Sequence, residues 1–313
     1  MADPDHPLTD PAVGRAVADA ASAHLGRPWT CLGFTPLDHL ASHPSGVLHG
    51  EPVPIFAKLA HDPEAPARFR AELAGLALLR RLAGVPTPTP VGPGLVEVDH
   101  RSLLLYEALR ERAPDRRTAA DWRSIGATLA RIHEVRGHEF GLRGIDGYYG
   151  PLRQDNAPVT PDRWSEFFAE RRLLPMLGAA LDAGHLPPGL AEGVEAVVRR
   201  LPWRCGPEPP PTLLHGDAQQ HNFVSTETGA VVIDVAPSFG HPEMDLAQLD
   251  VFDPVAPDLL DAYTERRPLD PGFEERRELW RMYTYLAAVT VDGAGAFGRR
   301  MAGRLADAVR RFR

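Results

Sequence analysis

Three oxygen-bearing side chains lie close together in the sequence, beside short apolar runs that are typical of strands. Asp217 and Asn222 follow the predicted strand 212–214, and Asp234 ends the predicted strand 231–233. Because a hairpin between Asn222 and Asp234 returns the chain, we expect the three side chains to converge. Carboxylate and amide oxygens suit Mg²⁺, and a carboxylate can accept the proton of an attacking hydroxyl. The spacing indicates phosphoryl transfer; the alternative is that Asp217 lies in an ordinary turn and Asp234 caps a helix.

The distribution of basic residues singles out one lysine. Of 34 Lys and Arg residues, Lys58 alone is a lysine, and it stands in the apolar run Ile55-Phe56-Ala57-Lys58-Leu59. A bias toward arginine explains the other positions, because a solvated surface charge can be of either type. A compact ammonium and a planar guanidinium are not interchangeable at a binding site. We therefore predict a functional role for Lys58; the alternative is a surface lysine whose stem covers apolar residues.

Composition narrows the class of protein. The formal net charge of −8 argues against a general nucleic-acid binder, whose affinity would come from basic side chains that neutralise phosphates. No apolar run approaches the roughly 18 to 20 residues that cross a bilayer, and the acidic start is unlike a signal peptide. Cys31 and Cys205 provide neither a disulfide framework nor a four-ligand zinc pattern. We expect a soluble, cytoplasmic protein that has no membrane or nucleic-acid partner.

The predicted elements divide the chain into a strand-rich first half and a helical second half. The helix 65–82 is indicated by Phe69, Leu73 and Leu76 at helical spacing. The other elements predicted in the first half are a helix over 12–25, strands at 29–34, 53–59, 95–98 and 102–106, and a hairpin loop over 36–50. Later helices are predicted over 119–134, 163–183, 190–201, 257–266, 273–291 and 294–312. This order predicts the α+β class, with a small first lobe and a mainly helical second lobe.

Longer stretches around these residues resemble one family. His215-Gly216-Asp217-Ala218-Gln219-Gln220-His221-Asn222, Ile233-Asp234 and Phe239-Gly240-His241-Pro242-Glu243-Met244-Asp245-Leu246-Ala247 are similar to segments of the fructosamine kinase group within the aminoglycoside phosphotransferase-like kinases. Further segments follow in family order at 56–58, 72–76, 104–109, 147–150 and 164–173. The resemblance covers most of the chain.

The resemblance implies a two-lobed, protein-kinase-like fold. The expected N-terminal lobe, residues 1–109, has an antiparallel sheet and one helix, binds ATP and ends in the hinge. The expected C-terminal lobe, residues 110–313, is mainly helical and carries the catalytic loop and the Mg²⁺ and acceptor sites. ATP and Mg²⁺ are the cofactors that such a kinase requires.

Roles for individual residues follow from the same resemblance. Asp217 would be the catalytic base, and Asn222 and Asp234 would be the Mg²⁺ ligands. Lys58 would bind the ATP phosphates, with Glu72 on the predicted helix as its ion-pair partner. The hinge that holds adenine through backbone groups would run from Tyr106 through Glu107 to Leu109. Ala57 and neighbouring aliphatic residues would sandwich the ring.

The sequence also departs from the family pattern. Val235 follows the predicted metal ligand where these kinases carry Pro, and residues 218–221 replace a Leu-Trp-Ser-Gly segment. Because of these changes, the residues that form the acceptor pocket cannot be predicted from the family pattern. The predicted phosphate loop, 37–46, lacks a G-x-G-x-x-G pattern and offers only Ser42, Ser45 and Gly46. Its cradling of phosphates through backbone N–H groups is therefore an assumption.

Three polar residues beyond the catalytic segment could suggest a second metal site. His241, Glu243 and Asp245 are spaced two residues apart. We predict a structural role instead, because such residues at the start of a helix more often cap it and brace a neighbouring loop.

The main hypothesis is ATP-dependent phosphorylation of a sugar hydroxyl on a fructosamine, that is, a ketoamine. The alternative within kinases is O-phosphorylation of an aminoglycoside or related antibiotic. A nucleotide-binding pseudokinase is disfavoured, because Lys58, Glu72, Asp217, Asn222 and Asp234 are all present. A protein substrate is disfavoured because little sequence separates Asp234 from the next helix. The acceptor, its reacting hydroxyl, the preference between ATP and GTP, and the oligomeric state are left open.

Overall fold

The first part of the chain is an antiparallel sheet with two helices. The structure, a computed structural model, describes residues 6–38, 43–187 and 189–313. Its first elements are α1 (Pro11–Leu25), β1 (Cys31–Pro36), β2 (Ser45–Gly50), β3 (Ile55–Ala60), α2 (Ala65–Ala83), β4 (Pro90–Val98) and β5 (Arg101–Glu107). The strand order is β1-β2-β3-β5-β4, and every neighbouring pair is antiparallel. Helix α2 is inserted between β3 and β4, as predicted.

Local sequence explains where these elements begin and end. The Asp10 carboxylate accepts hydrogen bonds from the first free backbone N–H groups of α1, and Gly26 ends that helix with a φ of 66°. Gly84 ends α2 in the same left-handed conformation. The β4–β5 hairpin turns at Asp99 and His100, whose φ angles of 47° and 62° match the twist of the strands.

The second part of the chain is mainly helical. Its helices are α3 (Ala119–His133), α4 (Trp164–Phe168), α5 (Leu174–Asp182), α6 (Leu190–Val198), α7 (Leu201–Arg204), α8 (Glu243–Gln248), α9 (Pro257–Thr264), α10 (Phe273–Asp292) and α11 (Ala296–Phe312). Thr118 and Asp121 form a reciprocal capping box that starts α3. None of the helices in the described ranges combines the length and apolar character that crossing a bilayer requires.

Short strand pairs within the helical part position the predicted catalytic segment. They are β6 (Gly147–Tyr149) with β7 (Leu152–Gln154), β8 (Thr212–Leu213) with β11 (Phe239–Gly240), and β9 (Phe223–Thr226) with β10 (Gly229–Val232). The β9–β10 hairpin is the one that the sequence predicted. The segment 214–222 lies between β8 and β9, and Asp234 follows β10.

Two apolar cores lie on opposite faces of the first sheet. The smaller core packs α1 against the sheet and includes Val17, Ile55 and Leu103. The larger core begins under α2 and continues through the helical part. Strand alternation therefore directs one face of β3 to the small core and the other face to the space between the two parts of the molecule.

The described residues correct two predictions of secondary structure. The hairpin loop predicted over 36–50 contains β2 at Ser45–Gly50, which pairs with both β1 and β3; residues 39–42 of that loop lie outside the described residues. The helix predicted over 163–183 is interrupted by a π-helical turn at Ala169–Leu173. The α+β arrangement itself is as predicted, and a lobe boundary at residue 109 stays a prediction.

Candidate active site

Lys58 lies in a buried network of charged groups. Its Nζ atom is 3.2 Å from Oε2 of Glu72 on α2 and 2.5 Å from Oδ1 of Asp234. The Tyr106 hydroxyl donates to the other oxygen of Glu72 at 3.2 Å. Because each pairing joins a different element, the single lysine connects β3, α2 and the segment after β10.

Burial and neighbouring charges shift the pKa values of the groups in this network in different directions. Burial disfavours the ammonium, but the carboxylates of Asp234 and Glu72 outweigh burial and raise the pKa of Lys58. Burial also opposes ionisation of Asp234, yet the adjacent Lys58 lowers its pKa below the usual value. At Glu72, burial and the neighbouring Asp234 carboxylate raise the pKa despite the lysine. The Lys58–Asp234 pair is therefore the part of the network that stays charged at neutral pH.

The segment that carries Asp217 is fixed by a buried carboxylate. Asp245 on α8 accepts hydrogen bonds from the backbone N–H groups of His215 and Gly216, at 2.7 and 3.0 Å. Its Oδ2 atom is also 3.0 Å from Nε2 of the buried His133. Gly216 has a φ of 86°, and a Cβ atom there would lie 1.8 Å from the carbonyl oxygen of Ala236. Only glycine fits between the two segments.

Asp217 is held at the wall of the cleft. Its Oδ1 atom accepts a hydrogen bond of 2.9 Å from Nε2 of Gln219, and its backbone carbonyl accepts one of 2.8 Å from Nδ2 of Asn222. Burial raises the pKa of Asp217 to about 7; the Gln219 hydrogen bond opposes that shift, and the Asp234 carboxylate adds to it. This carboxyl group can exchange protons near neutral pH, as a general base requires.

Asp234 lies where the β9–β10 hairpin returns to this segment. Its φ is 49°, and the preceding residue, Ile233, donates its N–H to the carbonyl oxygen of Asn222 at 3.0 Å. The structure thus brings Lys58, Glu72, Asp217, Asn222 and Asp234 to one cleft of about 770 Å³.

The donor set suits a hard divalent ion. Because Nδ2 of Asn222 is committed to a carbonyl, its side-chain oxygen is the atom available as a ligand, and Asp234 contributes a carboxylate. Oxygen ligands of these two types fit Mg²⁺.

The predicted hinge is only partly free for adenine. The backbone N–H of Glu107 donates to Thr89 and that of Ala108 donates to Pro54, both at 2.9 Å. Tyr106 reaches Glu72 through its hydroxyl, and Leu109 lines the cleft.

The structure overturns the prediction that Ala57 contacts the adenine ring. Ala57 is fully buried in the smaller core, on the opposite face of β3. Phe56 and Val47, which are directly opposite each other on β3 and β2, line the cleft instead. The period of two along a strand places the residue two before Lys58, not the one before it, on the same face.

The contacts of the three polar residues near α8 agree with the predicted structural role. Asp245 braces the catalytic segment, as expected. Glu243 is bound by Arg276 through two hydrogen bonds of 2.9 and 2.5 Å and by the indole N–H of Trp280 at 2.8 Å. The N-cap residue of α8, Pro242, has no side-chain acceptor, but Nδ1 of His241 accepts a hydrogen bond of 3.2 Å from the backbone N–H of Glu243, the first residue of the helix. Asp245 holds a loop, and Glu243 holds α10.

Some cleft residues were not anticipated from the sequence. Arg68 on α2 lines the cleft. The one signal in the sequence that could have identified it is its position one helical turn before Glu72. His43 and Gln219 also line the cleft. Ser45, which was predicted to lie in the phosphate loop, also lines the cleft, but from strand β2.

The fold and this site define a phosphotransferase of the protein-kinase-like class. The fold is shared with a thermostable variant of aminoglycoside phosphotransferase APH(4)-Ia in a ternary complex with AMP-PNP and hygromycin B, with a TM-score of 0.61, 14% identity, and coverage of 95% of this chain and 98% of that one. At that identity the likeness concerns the fold alone. The sequence model of the fructosamine kinase family matches residues 14–305, and the chain belongs to this family.

Individual relatives agree with this assignment. A candidate ketoamine kinase of Klebsiella aerogenes is 33% identical over 219 residues, which are 70% of this chain and 73% of that protein. The crystal structure of a candidate fructosamine-3-kinase from Thermobifida fusca has a TM-score of 0.77 and 34% identity, and the match covers 94% of this chain and 99% of that one. The predicted fold class and the predicted class of enzyme, a kinase, are confirmed.

Proposed function

We propose that this protein transfers the γ-phosphoryl group of ATP to a sugar hydroxyl of a ketoamine. One observation carries the proposal: a carboxylate of raised pKa, Asp217, faces the same cleft as the charged Lys58–Asp234 pair. Phosphoryl transfer needs a base for the acceptor hydroxyl beside groups that bind phosphates. The family supplies the acceptor class, since its named members are ketoamine kinases.

In the proposed reaction, Asp217 orients the acceptor hydroxyl and takes its proton as the oxygen attacks the γ-phosphorus. Lys58 binds phosphate oxygens, and Glu72 holds Lys58 in position through the 3.2 Å ion pair. Asn222 and Asp234 would hold Mg²⁺, which neutralises charge on the phosphates when it is bound. The ADP leaving group carries away the electron pair of the broken bond.

The nucleotide base would enter the apolar end of the cleft. Val47, Phe56 and Ile233 line that end, close to the segment 107–109. We propose that the carbonyl oxygen of Glu107 and the N–H of Leu109 hydrogen-bond adenine, because the N–H groups of Glu107 and Ala108 are already used within the protein.

The acceptor would occupy the other end of the cleft. Its wall includes Tyr149, Phe252, Thr284 and Phe297, and Asp253 adds a carboxylate. Small apolar surfaces and a few polar groups suit a small molecule. An acidic group beside them also suits the amine of a ketoamine.

An ADP-release assay with Mg²⁺-ATP tests the proposal. Fructosyl-lysine and other synthetic ketoamines should give turnover, free lysine and free fructose should not, and Asp217→Ala should remove the signal while the protein still binds nucleotide. A parallel panel of aminoglycosides addresses the alternative acceptor. Turnover with an aminoglycoside alone would reassign the acceptor, and no turnover with either panel would contradict the proposal.

A further inference from the structure

Two buried polar side chains in the cleft lack partners. Ser45 is completely buried, and Arg68 is 7% exposed. The Ser45 hydroxyl and the Arg68 Nε–H find no hydrogen-bond partner within the described residues, although both side chains line the cleft. Leaving a buried donor unsatisfied costs free energy unless a ligand supplies the acceptor. The orphaned donors therefore point to a ligand.

Ser45 and Arg68 flank the Lys58–Glu72 pair, one on each side. Ser45 on β2 is directly opposite Lys58 on β3, so their Cβ atoms are roughly 5 Å apart on the cleft face. Arg68 precedes Glu72 by one turn on the same face of α2. Ser45, Lys58, Glu72 and Arg68 thus form a continuous row along one wall.

The donors that remain along this row suit an anion. Two guanidinium nitrogens of Arg68 donate to the half-exposed Asp62 carboxylate, at 2.7 and 3.4 Å, and the Nε–H is the donor left without a partner within the described residues. His43 lies near both cations; burial, then Arg68 and Lys58, lower its pKa to about 4, so it is neutral. The row therefore has two cations, each paired with a carboxylate, Lys58 with Asp234 and Arg68 with Asp62. The donors left for an anion are the Ser45 hydroxyl and the Arg68 Nε–H.

We propose that Ser45 and Arg68 form an oxyanion subsite for the terminal phosphoryl group of the nucleotide. This inference rests on the proposed function. The loop before Ser45 has no glycine-rich pattern whose N–H groups could surround that group. Side-chain donors from β2 and α2 take over the task, while Lys58 holds the phosphates nearer the base. Asp62 binds the two terminal guanidinium nitrogens and so fixes the orientation of Arg68, whose Nε–H is the donor offered to a phosphoryl oxygen.

Calorimetric titration with Mg²⁺-ADP and with the β,γ-imido analogue of ATP tests the subsite without any acceptor. The wild-type protein should bind the triphosphate more tightly than the diphosphate. Ser45→Ala and Arg68→Gln should each weaken triphosphate binding by roughly 10-fold, the scale of a hydrogen bond to a charged group, and leave ADP binding within about 2-fold. Arg68→Lys should recover part of the loss.

Two control variants match these changes. Ser225 is equally buried and its hydroxyl also lacks a partner within the described residues, but it does not line the cleft. Arg70 lies on α2, two residues from Arg68, with its side chain 63% exposed. Ser225→Ala and Arg70→Gln should leave both affinities unchanged.

The outcomes separate this inference from the proposed function. An unchanged preference for triphosphate in folded Ser45→Ala and Arg68→Gln proteins would overturn the subsite and leave the kinase proposal standing. The subsite would also be overturned if these variants raised only the KM of a carboxylate-bearing ketoamine, because the anion that binds there would then belong to the acceptor. A wild-type protein that binds neither nucleotide would overturn both proposals.

Discussion

Asp217 and Asp234 are two carboxylates in one cleft with opposite acid–base behaviour. Lys58 lowers the pKa of Asp234 against the effect of burial, whereas burial raises that of Asp217 to about 7. Paired carboxylates whose environments separate their pKa values are a common way to divide catalytic roles. Here the separation favours the ionised form of Asp234 and leaves Asp217 as the group that can exchange a proton near neutral pH.

The pH dependence of turnover should follow Asp217. A general base works in its deprotonated form, so a pKa of about 7 predicts that kcat rises between pH 6 and pH 8 and then levels off. The measurement is kcat against pH with saturating Mg²⁺-ATP and ketoamine. A kcat that is constant or falls over this range would contradict the assignment of Asp217 as the base.

Replacing Asp217 by Asn should abolish turnover and stabilise the fold. A folded-state pKa above the unfolded value of 3.8 means that the native state loses stability as pH rises from about 4 to about 7. Asn carries no charge, so at pH 8 the variant should gain roughly 1–3 kcal/mol, a modest amount because Asp217 opens into the cleft. At pH 5 the gain should shrink.

Thermal unfolding at the two pH values measures this effect. Asp115→Asn is the control, because Asp115 is exposed and the same change there removes a charge outside the cleft. Equal gains for Asp217→Asn at pH 5 and pH 8 would show that the carboxyl group is not the source.

Helix α2 carries Glu72 and must lie close to the segment that follows Asp234. Gly75 permits this approach: a Cβ atom there would be 2.8 Å from Cδ of Pro237 and 2.9 Å from Cγ2 of Val235. The absence of a side chain at one helical position thus sets the distance between the two elements whose acids bind Lys58.

Gly75→Ala should push α2 away and stretch the Lys58–Glu72 pair. Overpacking of this kind costs about 1–3 kcal/mol of stability. Misplacement of Lys58, the proposed phosphate-binding group, should lower kcat/KM by roughly 10- to 100-fold. Steady-state kinetics and thermal unfolding provide the readouts. Gly14→Ala in α1 is the control, since its Cβ would meet open space. A Gly75→Ala enzyme with unchanged kcat/KM would contradict the close-packing argument.

Elements with strong local signals could be predicted from the sequence, and elements determined by their neighbours could not. Helix α2 has helical periodicity and a terminal glycine, and it begins and ends within one residue of its predicted limits. Strand β2 reads Ser-Gly-Val-Leu-His-Gly, which has weak strand propensity, and it forms because β1 and β3 pair with it on both sides.

The residues of the candidate site also fall into two groups: those whose local sequence predicts their position and those whose position depends on neighbouring elements. The convergence of Asp217, Asn222 and Asp234 in one cleft could be predicted, because their spacing along one hairpin is local. Arg68 was missed because its relation to Lys58 depends on the packing of α2. Ser45 was predicted only as part of a phosphate loop, because the sequence did not indicate β2, which places it opposite Lys58. The Ala57 error came from a shift of one residue in strand register, which reverses the face that a side chain occupies.

The two parts of the molecule share one apolar core. Phe69 and Leu76 of α2 and Leu104 of β5 belong to the same buried cluster as Trp164 and Trp280 of the helical part. A cluster that crosses between the parts couples their unfolding, because each part loses the buried surface that it shares with the other when the other unfolds.

The protein should therefore unfold in one cooperative thermal transition in the absence of ligands. Differential scanning calorimetry should give a single peak whose calorimetric and van't Hoff enthalpies agree. Two resolved peaks, with the first removing the sheet, would show that the two parts unfold independently.

Lys58 is the one lysine in the sequence, which has a consequence for chemical labelling. An amine-directed reagent has one side-chain target in all 313 residues, and that target is charged and held by two carboxylates. A nucleotide that carries an acylating group on its phosphates would bring the electrophile to this amine, and peptide mass mapping would detect a single modified site. The labelled fraction would then report occupancy of the cleft directly, without background from other lysines and without knowledge of the acceptor.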